Sequence, residues 1–352
     1  MLLARLSEAF GVSGHEDDVR GIIVDAIRDR VDECRVDAMG NLIARKAGTG
    51  SSTLRVMVAA HMDEVGLMVS QIEDNGQLRF YKVGGIDDRI LPAKAVRIGD
   101  THVPGVIGFK PVHLHEKGET DQVVASKQLA IDIGASSKAE AEKLVHRGDY
   151  AVFASSFLEL EATGAWRAVQ GKAFDDRAGC AILVELLSER FPFDFSAAFT
   201  VQEEVGLRGA RAAAYAEEAD IALVLECTGA NELPVDKDVS PSTRLGKGPA
   251  ITIMDATFIA DKRLVEHLVR VAEQHKIPYQ IKQPYIGGTD AGVIHKVRAG
   301  IPSATVSVPC RYIHSPAGIL NLDDFSNTLA LVRQSLFSLP DAVKEQPWRK
   351  GT

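Results

Sequence analysis

The chain has 352 residues, 45% of them hydrophobic, and a formal net charge of -8. That is enough apolar material for one large core and a smaller second one, and an acidic balance without a basic cluster excludes nucleic acid as the main partner. No apolar run approaches the roughly 20 residues that cross a bilayer, and the opening MLLARLSEAFGVSG lacks the uninterrupted apolar region of a secretory signal, so no membrane partner and a cytoplasmic location are expected.

In chain order, residues 1 to 60 begin with two helical patterns, the second in HEDDVRGIIVDAIRDRV with Ser13 as its expected cap. CRVDAMGNLIARK then reads as a hairpin, and TLRVMVAA as a buried strand that runs into His61. From Val65 the texture changes to alternating segments with glycine-marked turns, among them LMVSQIED, the turn DNG and QLRFYKV. This β texture lasts to about residue 158 and predicts an inserted β domain over residues 66–158. Residues 1–65 and 159–352 form the other, discontinuous domain. In it AGCAILVELLSERF predicts a helix, FSAAFTVQ a strand, GARAAAYAEEA a helix, IALVLE and AITIM strands, KRLVEHLVRVAEQH a helix, SATVSVP a strand and DDFSNTLALVRQSLF a last helix. Strands alternating with helices of this length predict an α/β fold, a mostly parallel sheet flanked by helices on both faces. The tail KEQPWRKGT is expected to fray.

Metal-capable side chains stand where these apolar runs give out, and a parallel sheet would gather them at its carboxyl edge. His61 ends a strand, with Asp63 placed to fix the tautomer of its ring; the plain alternative is a core histidine and a capping aspartate. Asp175 and Asp176 precede a helix, where a carboxylate is either a cap or a bridge between two cations. Glu203 and Glu204 follow AAFTVQ and diverge from a strand end, so one can bind a metal while the other acts as a general base; an exposed acidic helix turn would look the same. Glu226 interrupts IALVLEC, where an unpaired carboxylate is expensive unless the strand stops at Leu225. His314 lies in the loop CRYIHSP. The set points to a two-metal hydrolase more strongly than any member of it.

Other residues carry less. The four cysteines, Cys34, Cys180, Cys227 and Cys310, form no CxxC pair, so neither a disulfide framework nor a thiolate zinc site is indicated. His113 and His115 have a chelating spacing but no carboxylates around them, which predicts a surface or interface role. GGTDAG is not a phosphate loop, and Thr289 and Asp290 in it are expected near the site. No GxSxG nucleophile elbow occurs.

Taken together, GVSGHED, GNLIA, AHMDEVG, KPVHL, DIGASS, GKAFDDRAG, TVQEEVGLRGA, GGTDAG and RYIHSP resemble the tetrahedral aminopeptidase family of two-metal peptidases, which includes glutamyl and deblocking aminopeptidases and members labelled endoglucanases. The resemblance spans nearly the whole chain. It implies a zinc-peptidase-like fold with a small β-barrel-like dimerisation domain, and dimers that assemble into a hollow tetrahedral dodecamer. It implies two divalent metal ions per subunit, zinc, cobalt or manganese, held by His61, Asp175, Glu204, Glu226 and His314, with Asp175 bridging. Glu203 would be the catalytic base, Asp63 would orient His61, and Asp176 would be a helix cap. Many members carry aspartate at the position of Glu226. The activity so implied is removal of the amino-terminal residue from short peptides. A carboxypeptidase or deacylase with the same ligands is the rival, with Arg311 as a candidate carboxylate binder, and a metal-stabilised assembly protein is the rival that is not an enzyme.

Overall fold

The structure, a computed structural model, describes residues 1–50, 52–116, 118, 122–161, 166–230, 232, 243–283 and 285–345. Its larger part is one eleven-stranded sheet. Four strands at its centre run parallel, in the spatial order Asp194–Thr200, Arg55–His61, Ile221–Gly229, Ser303–Arg311. Buried on both faces, they are nearly continuous apolar runs rather than alternating ones, as parallel strands under helices must be. Antiparallel strands extend the sheet on both sides, beginning with the hairpin Glu33–Val36 and Leu42–Lys46 that GNLIA predicts.

Helices cover the sheet as expected. Phe174–Leu186 packs on the central strands and is itself covered by Leu2–Glu8 and Leu322–Glu345, so it is apolar almost all round. Arg208–Glu217 and Ala291–Ile294 pack on each other and on the same strands as a second helical group. Lys262–Gln274 shows the amphipathic pattern most plainly, burying Leu264, His267, Leu268, Val271 and Ala272 at helical spacing. His267 in that stripe is a satisfied core histidine, its Nε2 lying 2.9 Å from the Ser335 carbonyl oxygen, and burial lowers its pKa.

Residues 66–153 build a second body. Gly66–Ile72, Leu78–Val83, Ala130–Asp132, Val103–Gly108, Ala95–Ile98 and Tyr150–Phe153 close a six-stranded barrel in that spatial order. Alternate residues, among them Leu67, Val69, Leu78, Phe80, Val96 and Ile98, fill it. Gly76 closes the DNG turn with φ at +88°, a left-handed conformation that favours glycine.

Several elements differ from the sequence reading. Ser13 does not cap the second helix, Asp17–Ile27, which begins four residues later; its hydroxyl donates instead to Asp63 Oδ2 at 2.6 Å, because a buried carboxylate is the stronger acceptor. The strand through Glu226 does not stop at Leu225 but continues to Gly229. AITIM is shortened to Ala250–Thr252, and the last helix runs past Pro340 to Glu345. Leu158–Glu159 and Gln280–Ile281 are edge strands, Ala168–Gly171 and Gly318–Asn321 are paired on both sides, and all four, at two to four residues, are too short to leave a periodic signal. Residues 346–352, most of the tail expected to fray, lie outside the described residues.

One buried network sits directly behind the carboxyl edge. Glu64 Oε1 accepts from Lys172 Nζ at 2.6 Å and from Arg177 Nη2 at 3.2 Å, and all three side chains are at most 4% exposed. Arg177 Nε also donates to the Met62 carbonyl, and Lys172 Nζ to that of Ala9. Glu64→Gln leaves two buried cations short of their counter-charge, so chemical denaturation should show a loss of about 3–5 kcal/mol. A change below 1 kcal/mol would mean that the triad is not what locks the first helix to the sheet.

Candidate metal centre and active site

The parallel strands deliver their ends to one edge. Thr200 is in register with His61, and Glu226 with Ser307. His61, 2% exposed, directs Nε2 to Asp175 Oδ1 and to Glu226 Oε1, each at 3.2 Å. Its Nδ1 faces the Asp63 carbonyl oxygen at 3.1 Å, with Asp63 Oδ1 at 3.5 Å. His314, in the loop after the strand Ser303–Arg311, directs Nε2 to Asp175 Oδ2 at 3.2 Å and Glu204 Oε1 at 3.1 Å. Its Nδ1 lies 3.0 Å from the carbonyl oxygen of Gly85, on the barrel loop after Leu78–Val83. Donor atoms of His61, Asp175 and Glu226 lie within 4.8 Å of one another, and so do those of Asp175, Glu204 and His314. Asp175 thus belongs to both groups, one oxygen to each.

The backbone explains the divergence of the acidic pairs. Asp176, at the same turn as Asp175, points inward and accepts from the Gly179 N–H at 2.9 Å, the third residue of the helical run that follows it, which is the geometry of an N-cap. Asp63 is the hub of the next pair. Its Oδ1 accepts from the Glu203 N–H at 3.0 Å and its Oδ2 from the Glu204 N–H at 3.2 Å. Glu16 adds a grip on the same segment through the Gln202 N–H at 3.2 Å. Glu204 is held in the second cluster, while Glu203 belongs to neither and lines the cleft in front of them. Thr289 is buried beside that cleft, and Asp290 accepts from Thr200 Oγ1 at 2.5 Å, so the GGTDAG loop does come to the site.

Charge at this edge is far out of balance. Burial pushes the carboxyl groups of Glu226 and Glu203 well above the usual range, helped for Glu226 by the charge of Asp175 and for Glu203 by Asp290, Glu204 and Asp175. Burial raises Asp290 to about 6. Burial opposes a charged His314, but its hydrogen bonds to Asp175 and Glu204 win and raise it to about 11. His61 is likewise raised against burial, by Glu226, Asp175 and Asp63. Glu226 Oε2 is buried without a hydrogen-bond partner among the described residues. Two imidazoles and three carboxylates with nitrogen and oxygen donors fit borderline divalent cations, and two such charges would offset the excess.

Residues outside the ligand pattern also resolve. His113 is exposed, His115 Nε2 lies 2.9 Å from the Lys110 carbonyl oxygen, and neither histidine joins a metal-capable group of the described residues. Arg311 grips Glu232 Oε2 through Nε at 2.9 Å and Nη2 at 2.7 Å, so its guanidinium already has a carboxylate. Cys34 is exposed and the other three cysteines are buried and free, Cys227 beside Glu226 in the cleft. A cavity of about 1190 Å³ opens at the opposite edge, at the starts of the same strands by Arg55, Ile221 and Ser303, away from both clusters. The cleft holding Glu203 measures about 480 Å³. Sequence reasoning missed Ser13, Glu16, Glu64, Lys172, Arg177 and Gly85 as supports, although most stand inside the motifs that carry the ligands.

Acidic and imidazole donors at the carboxyl edge of a parallel sheet, with a free glutamate beside them and a cleft in front, define a metal-dependent peptidase. Residues 40–331 match the model of the M42 glutamyl aminopeptidase family, and the chain belongs to that family. It is 35% identical over 350 residues to the lysyl aminopeptidase of Pyrococcus furiosus, covering 96% of each chain. Against the glutamyl aminopeptidase of Lactococcus lactis subsp. cremoris it is 32% identical over 344 residues, covering 95% of this chain and 94% of the relative. Among solved structures, aminopeptidase APDkam598 of Desulfurococcus kamchatkensis superposes with a TM-score of 0.92 at 36% identity, over 100% of this chain and 98% of that one. The TET1 peptidase of Pyrococcus horikoshii, which can assemble into a tetrahedron or a large octahedral shell, superposes at 0.84 with 34% identity, over 96% and 98%. The protein is therefore an aminopeptidase, a hydrolase acting on peptides. No helix of the described residues is long and apolar enough to cross a membrane.

Proposed function

We propose that the chain releases the amino-terminal residue of short peptides with two divalent cations, zinc, cobalt or manganese, and with Glu203 as general base. One observation carries this reading: the single carboxylate of Asp175 faces both imidazoles, and each imidazole has its own glutamate. His61 and Glu226 would hold one cation, Glu204 and His314 the other, and Asp175 both. Glu226, longer than the aspartate common at this position, reaches His61 as it stands, at 3.2 Å. Cations so held supply Lewis-acid chemistry, polarising the scissile carbonyl and acidifying water.

The chain's own groups do the rest. Asp63, fixed by Ser13, orients His61 and, through two backbone N–H groups, aims Glu203 away from the ligand cluster. Glu203 takes a proton from the attacking water and hands it to the leaving amine, a role suited to a carboxylate whose pKa is raised. The substrate's free amino group is received among the acidic side chains. Arg311, bound to Glu232, offers no spare cation to a substrate carboxylate, which counts against the carboxypeptidase reading. We assign residues 1–65 and 159–352 to the catalytic domain and 66–158 to assembly: the barrel's exposed Phe109, Val112, Leu114 and Val123 support a homo-oligomer, dimers building a tetrahedral dodecamer as in the TET relatives. A cytoplasmic location belongs to the same reading.

The test is a panel of aminoacyl p-nitroanilides, amino-acetylated peptides and carboxyl-terminal substrates with zinc, cobalt or manganese. Turnover of the free-amine substrates alone, abolished by chelation and restored by cation, is expected. Equal cleavage of acetylated peptides would sink the assignment of a free amino terminus as the recognised group.

A further inference from the structure

The strand that leads to Glu203 ends at Thr200. The next four backbone N–H groups are nonetheless all held, each by a side-chain oxygen from elsewhere in the chain. Val201 donates to Asn41 Oδ1 at 3.0 Å, Gln202 to Glu16 Oε1 at 3.2 Å, Glu203 to Asp63 Oδ1 at 3.0 Å and Glu204 to Asp63 Oδ2 at 3.2 Å. One of the four has an unusual backbone. Gln202 has φ at +57°, in the left-handed region that a residue with a Cβ resists. It stands directly before Glu203, so its turn sets the direction in which the Glu203 side chain leaves the backbone.

The residue that holds this turn is placed against its local preference. Glu16 is the N-cap residue of the helix Asp17–Ile27, where a capping side chain accepts from the helix's own first N–H groups, yet it makes no such bond. Its Oε1 accepts instead from the Gly14 N–H at 2.6 Å and reaches Gln202 across 186 positions. Glu16 is buried, and burial raises its carboxyl pKa, with the charge of Asp63 adding to the effect. A carboxylate kept in such a place serves the Gln202 backbone and not the helix.

We infer that Glu16 is a positioning residue for the reaction: by accepting from the Gln202 N–H it keeps that residue left-handed and so holds the Glu203 carboxylate at its bearing on the cleft. The inference rests on the reading of Glu203 as the general base. Glu16 belongs to neither donor group, so it acts on the rate and not on the metal. The role needs an oxygen acceptor and does not need a charge.

The experiment measures kcat, KM and bound metal, on the aminoacyl p-nitroanilide that the wild type turns over fastest, for the metal-loaded wild type, Glu16→Gln, Glu16→Met and Glu16→Met combined with Gln202→Gly. Glu16→Met, similar in length but without an oxygen acceptor, should lower kcat by about 100-fold, the scale on which a misplaced catalytic group acts, with KM and metal content unchanged. Glu16→Gln keeps an amide oxygen for the same N–H and should retain most of the wild-type kcat. Adding Gln202→Gly to Glu16→Met should return part of the lost kcat, because glycine takes the left-handed conformation at no steric cost; a general loosening of the fold predicts a further loss instead. Should Glu16→Met yield no folded protein, Gln202→Val in the otherwise wild-type chain carries the test, since a β-branched residue resists positive φ and should lower kcat while metal is retained. A wild-type kcat in Glu16→Met or Gln202→Val, a Glu16→Gln as slow as Glu16→Met, a double variant no faster than Glu16→Met, or loss of bound metal overturns the inference. Glu203→Gln in the same assay separates it from the reading beneath it. Full turnover in Glu203→Gln removes the base and this inference with it, whereas an inactive Glu203→Gln beside a fully active Glu16→Met leaves the base standing and overturns only the part given to Glu16.

Discussion

Replacing Glu203 by glutamine should lower kcat by about 10²–10⁴-fold, the range in which a positioned general base contributes, while the content of bound divalent cation stays at the wild-type value. The side chain keeps its size and its place in the cleft, and the Glu203 N–H that Asp63 fixes is untouched. What disappears is the ability to accept a proton. Glu203 belongs to neither donor group, so its loss should not release metal. Elemental analysis of the purified variant beside its steady-state kinetics gives both readouts. A variant that turns over at the wild-type rate would remove Glu203 from the chemistry; one that is inactive and metal-free would move it into the ligand set.

The second large effect concerns Asp175. Asp175→Asn takes away the one carboxylate that faces both imidazoles, leaving His61 with Glu226 and His314 with Glu204. Both cations should be lost together, with activity falling to background and the metal-dependent rise in thermal stability disappearing. Metal titration followed by calorimetry would read this directly. The drop in affinity should exceed the 10- to 100-fold that removing an outer partner costs, and Asp63→Asn, which disturbs only such a partner, provides the comparison in the same assay. Retention of one full-affinity site in Asp175→Asn would contradict a shared carboxylate and split the centre into two independent sites.

Both predictions turn on neighbours that differ by a single position in the chain. Asp175 faces the clusters while Asp176 turns inward to the Gly179 N–H; Glu204 meets His314 while Glu203 stays free. Adjacent side chains at a strand end point to different sides, so the pairing DD and EE announces a division of labour. It does not say which member takes which part. Which glutamate faces the imidazole depends on hydrogen bonds from far away in sequence: Asp63, itself held by Ser13, grips the Glu203–Glu204 backbone, and that grip leaves no periodic trace.

The sequence by itself determined the α/β alternation, the parallel core and the change to an inserted barrel, because these follow from apolar periodicity and turn chemistry that are local. It also marked the imidazoles and carboxylates that the fold gathers into two donor clusters, most of them standing where an apolar run ends. Tertiary structure alone decided the rest. Short edge strands, Leu158–Glu159 antiparallel and Gln280–Ile281 parallel to their neighbours, formed because a neighbour offered unpaired backbone, not because two residues specify them. Glu64, Lys172 and Arg177 became one buried network although more than a hundred residues separate the first from the others. The Gly85 carbonyl came from the barrel to His314 across 229 positions. Local free energies are written in neighbouring residues; the balance of buried charge depends on which distant groups the fold brings within a few ångströms, and no window of sequence contains it.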